Sequence, residues 1–268
     1  MKKVFAFILT AFLAIASCAV MSACKEDTVS VEEIKIVATE AKEYKAGETF
    51  TLSYTTVPED AAEKITVNWN ISDSQKLSYK DGSFTALTCG TVKVTASVKG
   101  GEATDEIELK VIAPDGFKEY SDTGYKLVYP SSWTSSALGK IQTWTAANGT
   151  TSMNVSTEEL KESYFTATAA SYQSVIETTY SLMGYTVNFT EPVSAKKATY
   201  LGVERVQVDY RYTLQISVIT TTIHQTQLII NNTDENLSCI LTVTFWEENF
   251  DEAAAKLQET VFSQFMPA

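Results

Sequence analysis

Hydrophobic residues with a period of two dominate this chain. Val92, Val94, Ala96 and Val98 occupy every second position of one run. Val206, Val208, Tyr210 and Tyr212 alternate with Gln207, Asp209 and Arg211 in another, and Leu237, Cys239, Leu241, Val243 and Phe245 do the same after position 236. An extended backbone points successive side chains to opposite sides, so such runs are strands with one buried face. Val, Thr, Ile, Tyr and Phe are frequent in both halves, and these residues suit pleated, half-buried surfaces. The expected fold is mostly β. The 268 residues suffice for one large or two ordinary domains.

Between residues 30 and 113 the strand-like runs are Glu33–Thr39, Thr49–Thr56, Ile65–Ile71, Thr91–Val98 and Asp105–Ile112. Turn residues separate them, among them Ala46-Gly47, Pro58-Glu59-Asp60, Asp81-Gly82 and Gly100-Gly101. Strands at this spacing predict a β-sandwich. Tyr44-Lys45-Ala46-Gly47-Glu48, Val57-Pro58-Glu59-Asp60-Ala61, Val67-Asn68-Trp69, Ile71-Ser72-Asp73 and the stretch from Gly82 to Ala96 follow in order. Together they resemble a bacterial Ig-like domain of group 2. The resemblance implies a spacer or adhesive module without an active site, with Trp69 as its core tryptophan. Cys89 stands where that family usually has a small or polar residue.

Pro114-Asp115-Gly116 breaks the pattern. Residues 114–268 then read as strands at Tyr125–Tyr129, Ile141–Ala146 and Ser152–Thr157, a helix from about Ala167 to Met183, and long strands from Val203 onward. Tyr172, Val175, Ile176, Tyr180 and Met183 form the helix stripe, and Gly184 ends it. Residues 214–230 hold a turn that no Gly or Pro marks. A closing helix starts at Asn249 as N-cap, with Ala254, Leu257, Val261 and Phe265 as its stripe. The order predicts an α+β unit, an antiparallel sheet packed by two helices. Gly124-Tyr125-Lys126-Leu127-Val128-Tyr129-Pro130-Ser131-Ser132-Trp133, Tyr200-Leu201-Gly202-Val203-Glu204 and the closing Phe262-Ser263-Gln264-Phe265 make this part similar to the PsbP/DcrB-like family. That resemblance implies an extracytoplasmic protein that acts by contacting other proteins, and it carries over no metal or partner residue.

The first 23 residues look like a bacterial lipoprotein signal peptide. Lys2 and Lys3 precede an apolar run from Val4, and small residues precede a cysteine twice, at Cys18 and at Cys24. Cys24 is favoured for lipid attachment, because Lys25-Glu26-Asp27 begins a polar chain directly after it; Cys18 is the alternative, with the more usual preceding residues. Residues 24–29 would be a tether. An uncleaved membrane-spanning segment is the competing reading of a run about 20 residues long.

Charge and missing motifs narrow the function. The formal net charge is −12, and loss of Lys2 and Lys3 with the leader would make it −14. Such a surface repels phosphate backbones, so nucleic acid is not an expected partner. The four cysteines contain no C-x-x-C pair, and Cys89 and Cys239 are not expected to bridge; Cys239 reads as a buried thiol. His224 is the only histidine and reads as an ordinary surface residue of a Thr/Ile/Gln strand. No nucleophile elbow, P-loop, dinucleotide fingerprint or calcium loop occurs. Glu158-Glu159, Glu247-Glu248 and Asp251-Glu252 read as solvated or helix-capping acids. The expectation is a non-catalytic, lipid-anchored envelope protein: an Ig-like spacer presents an α+β domain that contacts a protein or glycan. A small-ligand or solute-binding lipoprotein with a pocket in that domain is the alternative, and an enzyme of unknown class comes third. No cofactor and no metal are expected.

Overall fold

Val92, Val94, Ala96 and Val98 are buried while Thr91 and Lys93 face solvent, so the alternation is that of a strand with one covered face. The structure is a computed structural model that describes residues 30–38 and 42–268. The leader, the tether and both candidate lipidation sites, Cys18 and Cys24, lie outside the described residues. No helix among the described residues is long and apolar enough to cross a membrane.

The first part of the chain forms β1 (Glu33–Val37), β2 (Glu43–Lys45), β3 (Thr49–Phe50), β4 (Ser53–Val57), β5 (Val67–Ile71), β6 (Leu77–Lys80), β7 (Ser83–Ala86), β8 (Gly90–Val98) and β9 (Thr104–Ile112). One sheet runs β2-β9-β8-β5, with β2 parallel to β9, and a second runs β3-β7-β6; β1 pairs with β4. Val92, Val94, Leu109 and Val111 of the first sheet meet Leu77, Phe84 and Ala86 of the second. Trp69 is half-buried at the side of this core, edge-on to Phe84 with ring centroids 5.4 Å apart. The hairpin of β6 and β7 has four-residue arms, too short to carry a periodic signal in the sequence.

The second part forms β10 (Phe117–Asp122), β11 (Tyr125–Pro130), β12 (Thr134–Leu138), β13 (Ile141–Thr145), β14 (Thr151–Glu159), α1 (Ala169–Leu182), β15 (Thr186–Phe189), β16 (Ser194–Tyr200), β17 (Val203–Ile216), β18 (Ile219–Asn232), β19 (Leu237–Trp246) and α2 (Glu252–Gln264). The central antiparallel sheet runs β12-β13-β14-β19-β18-β17-β15, with β16 also on β17. The chain is thus mostly β, in several largely antiparallel sheets, with two α-helices among the described residues.

Both faces of the central sheet are used. Cys239, Leu241, Val243 and Phe245 are each at most 1% exposed and lie under α2 and β11. Val206, Val208, Tyr210 and Tyr212 point the other way and meet Tyr172 and Ile176 of α1. The hidden turn is at Ser217-Val218, with Ser217 at φ 57. Gly124, before β11, has φ 90, and a Cβ there would come within 2.8 Å of Leu237 Cδ1 and 3.2 Å of Cys239 Sγ. Only glycine fits that approach.

Two helix assignments shift. The stripe of α1 buries Tyr172 and Ile176, whereas Val175 and Met183 are exposed, since the helix covers only part of its sheet face. The N-cap of α2 is Asp251, whose carboxylate accepts from Ala254 N–H at 2.8 Å. Asn249 instead ends a short 3-10 turn and donates to Thr150 Oγ1 at 3.0 Å. A carboxylate at the cap also meets the positive end of the helix dipole.

The two parts touch at the end of α2. Gln264 Nε2 donates to Leu87 O at 2.6 Å, and Gln264 Oε1 accepts from Cys89 N–H at 3.0 Å. Lys45 pairs with Asp115 at 2.7 Å across the Pro114–Gly116 turn. No hydrophobic cluster mixes side chains from before residue 113 with side chains from after residue 116 among the described residues.

Candidate functional site

The register of β17 and β18 pairs Arg211 with His224 and Asp209 with Thr226. These four side chains share the face that α2 covers, because their neighbours Tyr210 and Tyr212 take the opposite face. At this edge α2 does not reach far enough to seal the sheet. A cleft of about 370 Å³ remains, lined by Glu191, Ser194, Asp209, Arg211, His224 and Gln258.

Arg211 organises its rim. Its NH1 lies 2.9 Å from Glu191 Oε1 and 3.8 Å from Glu247 Oε1. Asp209 is held differently. Its Oδ1 accepts from Thr226 Oγ1 at 2.9 Å and from Gln207 Nε2 at 3.1 Å, and Oδ2 accepts from Gln207 Nε2 at 3.2 Å. All of these donors are neutral, and no cation among the described residues lies within ion-pair distance of Asp209.

His224 is not the surface residue that the strand pattern suggested. It is 8% exposed, with the Phe250 ring against it at a centroid distance of 3.6 Å. Its neighbours in sequence are uniform, so only the fold, which brings the 247–250 turn over the strand, buries it. Burial, and then the Arg211 charge, hold its imidazole below the usual histidine range; Glu247, Asp209 and Glu191 oppose that shift. At neutral pH the ring is uncharged. Its Nδ1 has no hydrogen-bond partner, and neither have Glu247 Oε2 and Gln258 Oε1 nearby, all three being buried atoms. Buried polar atoms are paired in the great majority of proteins, which makes three in one neighbourhood notable.

The other residues singled out from sequence lie elsewhere. Glu158 pairs with Lys161 and accepts from the Tyr164 hydroxyl, and Asp251 is a cap. Cys89 and Cys239 are free thiols. Burial pushes Cys89 up to about 12 and Cys239 up to about 11, so both stay protonated near neutrality. No group of three or more His, Cys, Asp or Glu residues arranged to hold a metal occurs among the described residues.

A second feature sits where the same sheet ends at the β17–β18 turn. Leu182 and Met183 close α1, and Val218 and Ile219 form the β17–β18 turn. Thr186 of β15 pairs with Gln215 of β17, which sets the helix end beside that turn. Val218 is 93% and Leu182 84% exposed, and Met183 and Ile219 are also exposed. Residues 178–190 and 212–223 contain no Asp, Glu, Lys or Arg. The helical spacing predicts Met183 in the core, whereas it is exposed, and no Gly or Pro marks the turn; the absence of charge is visible in the sequence of both segments.

No protein-family model matches the chain, and no curated protein matches it. Among solved structures it is similar to a protein from Bacteroides thetaiotaomicron, at 14% identity and a TM-score of 0.38, over 57% of this chain and 49% of that one. The chain thus spans about half the length of that protein. It is also similar to a point mutant of the protein Mog1 (12% identity, TM-score 0.36, 56% of this chain and 95% of that one). The Ran-binding protein Mog1p of Saccharomyces cerevisiae gives 11% identity and a TM-score of 0.36 over 56% and 94% of the two chains.

Proposed function

We propose that this is a non-catalytic, lipid-anchored envelope protein in which residues 30–113 act as an Ig-like spacer and residues 114–268 bind a protein partner. The uncharged apolar end of the central sheet carries this reading. Charged residues make up 20% of the chain, yet two adjoining segments there have none and expose four large apolar side chains. An exposed apolar patch that folding does not bury marks an interaction surface. Four exposed apolar side chains without a charge among their neighbours in these segments favour a protein over a glycan. The leader supports the address: positive residues, an apolar run and a cysteine at the switch to polar chain are the features of a lipoprotein signal. The protein would face the cell exterior or the periplasm.

Two measurements test this. Cys24→Ala should abolish labelling by a fatty-acid probe while Cys18→Ala leaves it, and the opposite result would move the anchor to Cys18. In pull-downs from envelope extract, a partner held by the wild-type chain should be lost by the double variant Leu182→Ser, Val218→Ser. Both positions are exposed, so each change should alter stability by about 0.5 kcal/mol or less. A partner retained by the folded double variant would rule out this surface. The alternative, small-ligand binding in the C-terminal part, has its own observation in the cleft beside His224.

A further inference from the structure

We infer that the cleft between β17, β18 and α2 binds a small organic amine as its ammonium ion. This inference does not rest on the protein-docking reading, which uses the exposed apolar side chains at the β17–β18 turn rather than the cleft lining. Charge selects the sign of the ligand. Glu191 and Asp209 line the cleft with Arg211 as the one cationic side chain of its lining, and Arg211 is already engaged by Glu191 and by Glu247 beside the cleft. Asp209 is the critical group. A carboxylate offers about four acceptor positions, and here only uncharged donors use them. A half-buried carboxylate without a counter-charge gains most from a cation.

Hydrogen bonding selects the kind of cation. Gln258 Oε1 can only accept, and neutral His224 can accept at Nδ1; both residues line the cleft and both atoms lack a donor. His224 is more than nine-tenths buried, so water does not easily compensate it. A primary ammonium carries three N–H donors around one charge, which suits one carboxylate and two neutral acceptors. The described residues hold no three-ligand metal set, so a bare metal ion is not the match. An anion would meet the carboxylates of Glu191 and Asp209.

The only histidine of the chain is itself the reporter. In NMR titrations of the soluble mature chain, putrescine and L-lysine should shift the His224 imidazole resonances saturably. 1,4-Butanediol, which has the length of putrescine without its charge, should not, and nor should succinate or calcium chloride. Asp209→Asn should weaken amine binding tenfold or more, the scale of one charge-assisted contact at 1.4 kcal/mol per decade. Glu191→Gln, on the exposed rim, should weaken it less and serves if Asp209→Asn does not fold. Equal binding of butanediol, preferential binding of succinate or calcium, no saturable response to either amine, or amine binding unchanged in the folded variants would each overturn the inference.

Discussion

At the scale of single residues, His224 shows how burial turns an unremarkable strand position into a constrained one. Its imidazole titrates below the ordinary histidine range because the folded chain desolvates it and sets Arg211 nearby. The sign follows from which state takes the proton first. Unfolded, the ring has a pKa of about 6.5, so as pH falls through that value the unfolded chain protonates while the folded chain does not. The contribution of neutral His224 is fully present above about pH 6.5 and declines below it until the folded pKa is reached. His224→Gln should therefore flatten the loss of stability between neutral and mildly acidic pH. At neutral pH it should cost about 1 to 2 kcal/mol, more than a surface change, because a ring packed on Phe250 is replaced by an amide. Urea unfolding of both proteins at several pH values checks this; parallel curves would mean that His224 is not the titrating group.

Among elements, α2 depends on β17 for its C-terminus. A helix ends with carbonyls that have no internal partner. Here Arg205 donates from NH1 to Phe262 O at 2.7 Å and from NH2 to Phe265 O at 2.8 Å, with its guanidinium carbon 4.4 Å from the centre of the Tyr200 ring. Burial pushes Arg205 down to about 10, which leaves it charged at neutral pH and opposite the negative helix end. Arg205→Met would preserve volume and strip both carbonyls of their donor. The expected loss is about 2 to 4 kcal/mol in thermal or urea unfolding, and a loss under about 1 kcal/mol would show that water replaces the guanidinium. Sequence patterns located this helix to within three residues of its start and supplied part of its stripe, but they missed Phe262, which is buried, and its arginine clamp. That clamp joins residues 57 and 60 positions apart in the chain, and no local pattern records such a pairing.

For the whole molecule, the separate hydrophobic clusters on either side of residues 113–116 lead us to propose two independently stable units. Segments 28–113 and 114–268 should each express as soluble pieces with their own unfolding transition. Gln264 is the main polar tie between them, giving and receiving one hydrogen bond. Gln264→Ala in the full chain should keep both transitions and remove about 1 to 2 kcal/mol of any coupling between them, the net value of two such bonds. Calorimetry of the full chain, the variant and the two segments tests this, and aggregation of both segments would mean that the division cuts a shared core.

Alternation in residues 92–98, 206–212 and 237–245 was enough to establish a mostly β chain and to say which side chains share a face. Period is a local property of an extended backbone, so it survives in sequence. What covers each face is not local. Val175 and Met183 carry the spacing of a buried stripe and are exposed, because α1 packs against only part of its sheet. His224 carries no signal of burial and is covered by Phe250 from the next strand connection. The charge-free segments around Leu182 and Val218 were legible as composition, but their meeting at one end of the sheet depends on the β15–β17 register. Asp209, Arg211 and Glu191 likewise become one cleft only when β17 lies between its neighbours and α2 stops short of the edge, since strand order and helix placement are decided by packing over long chain separations.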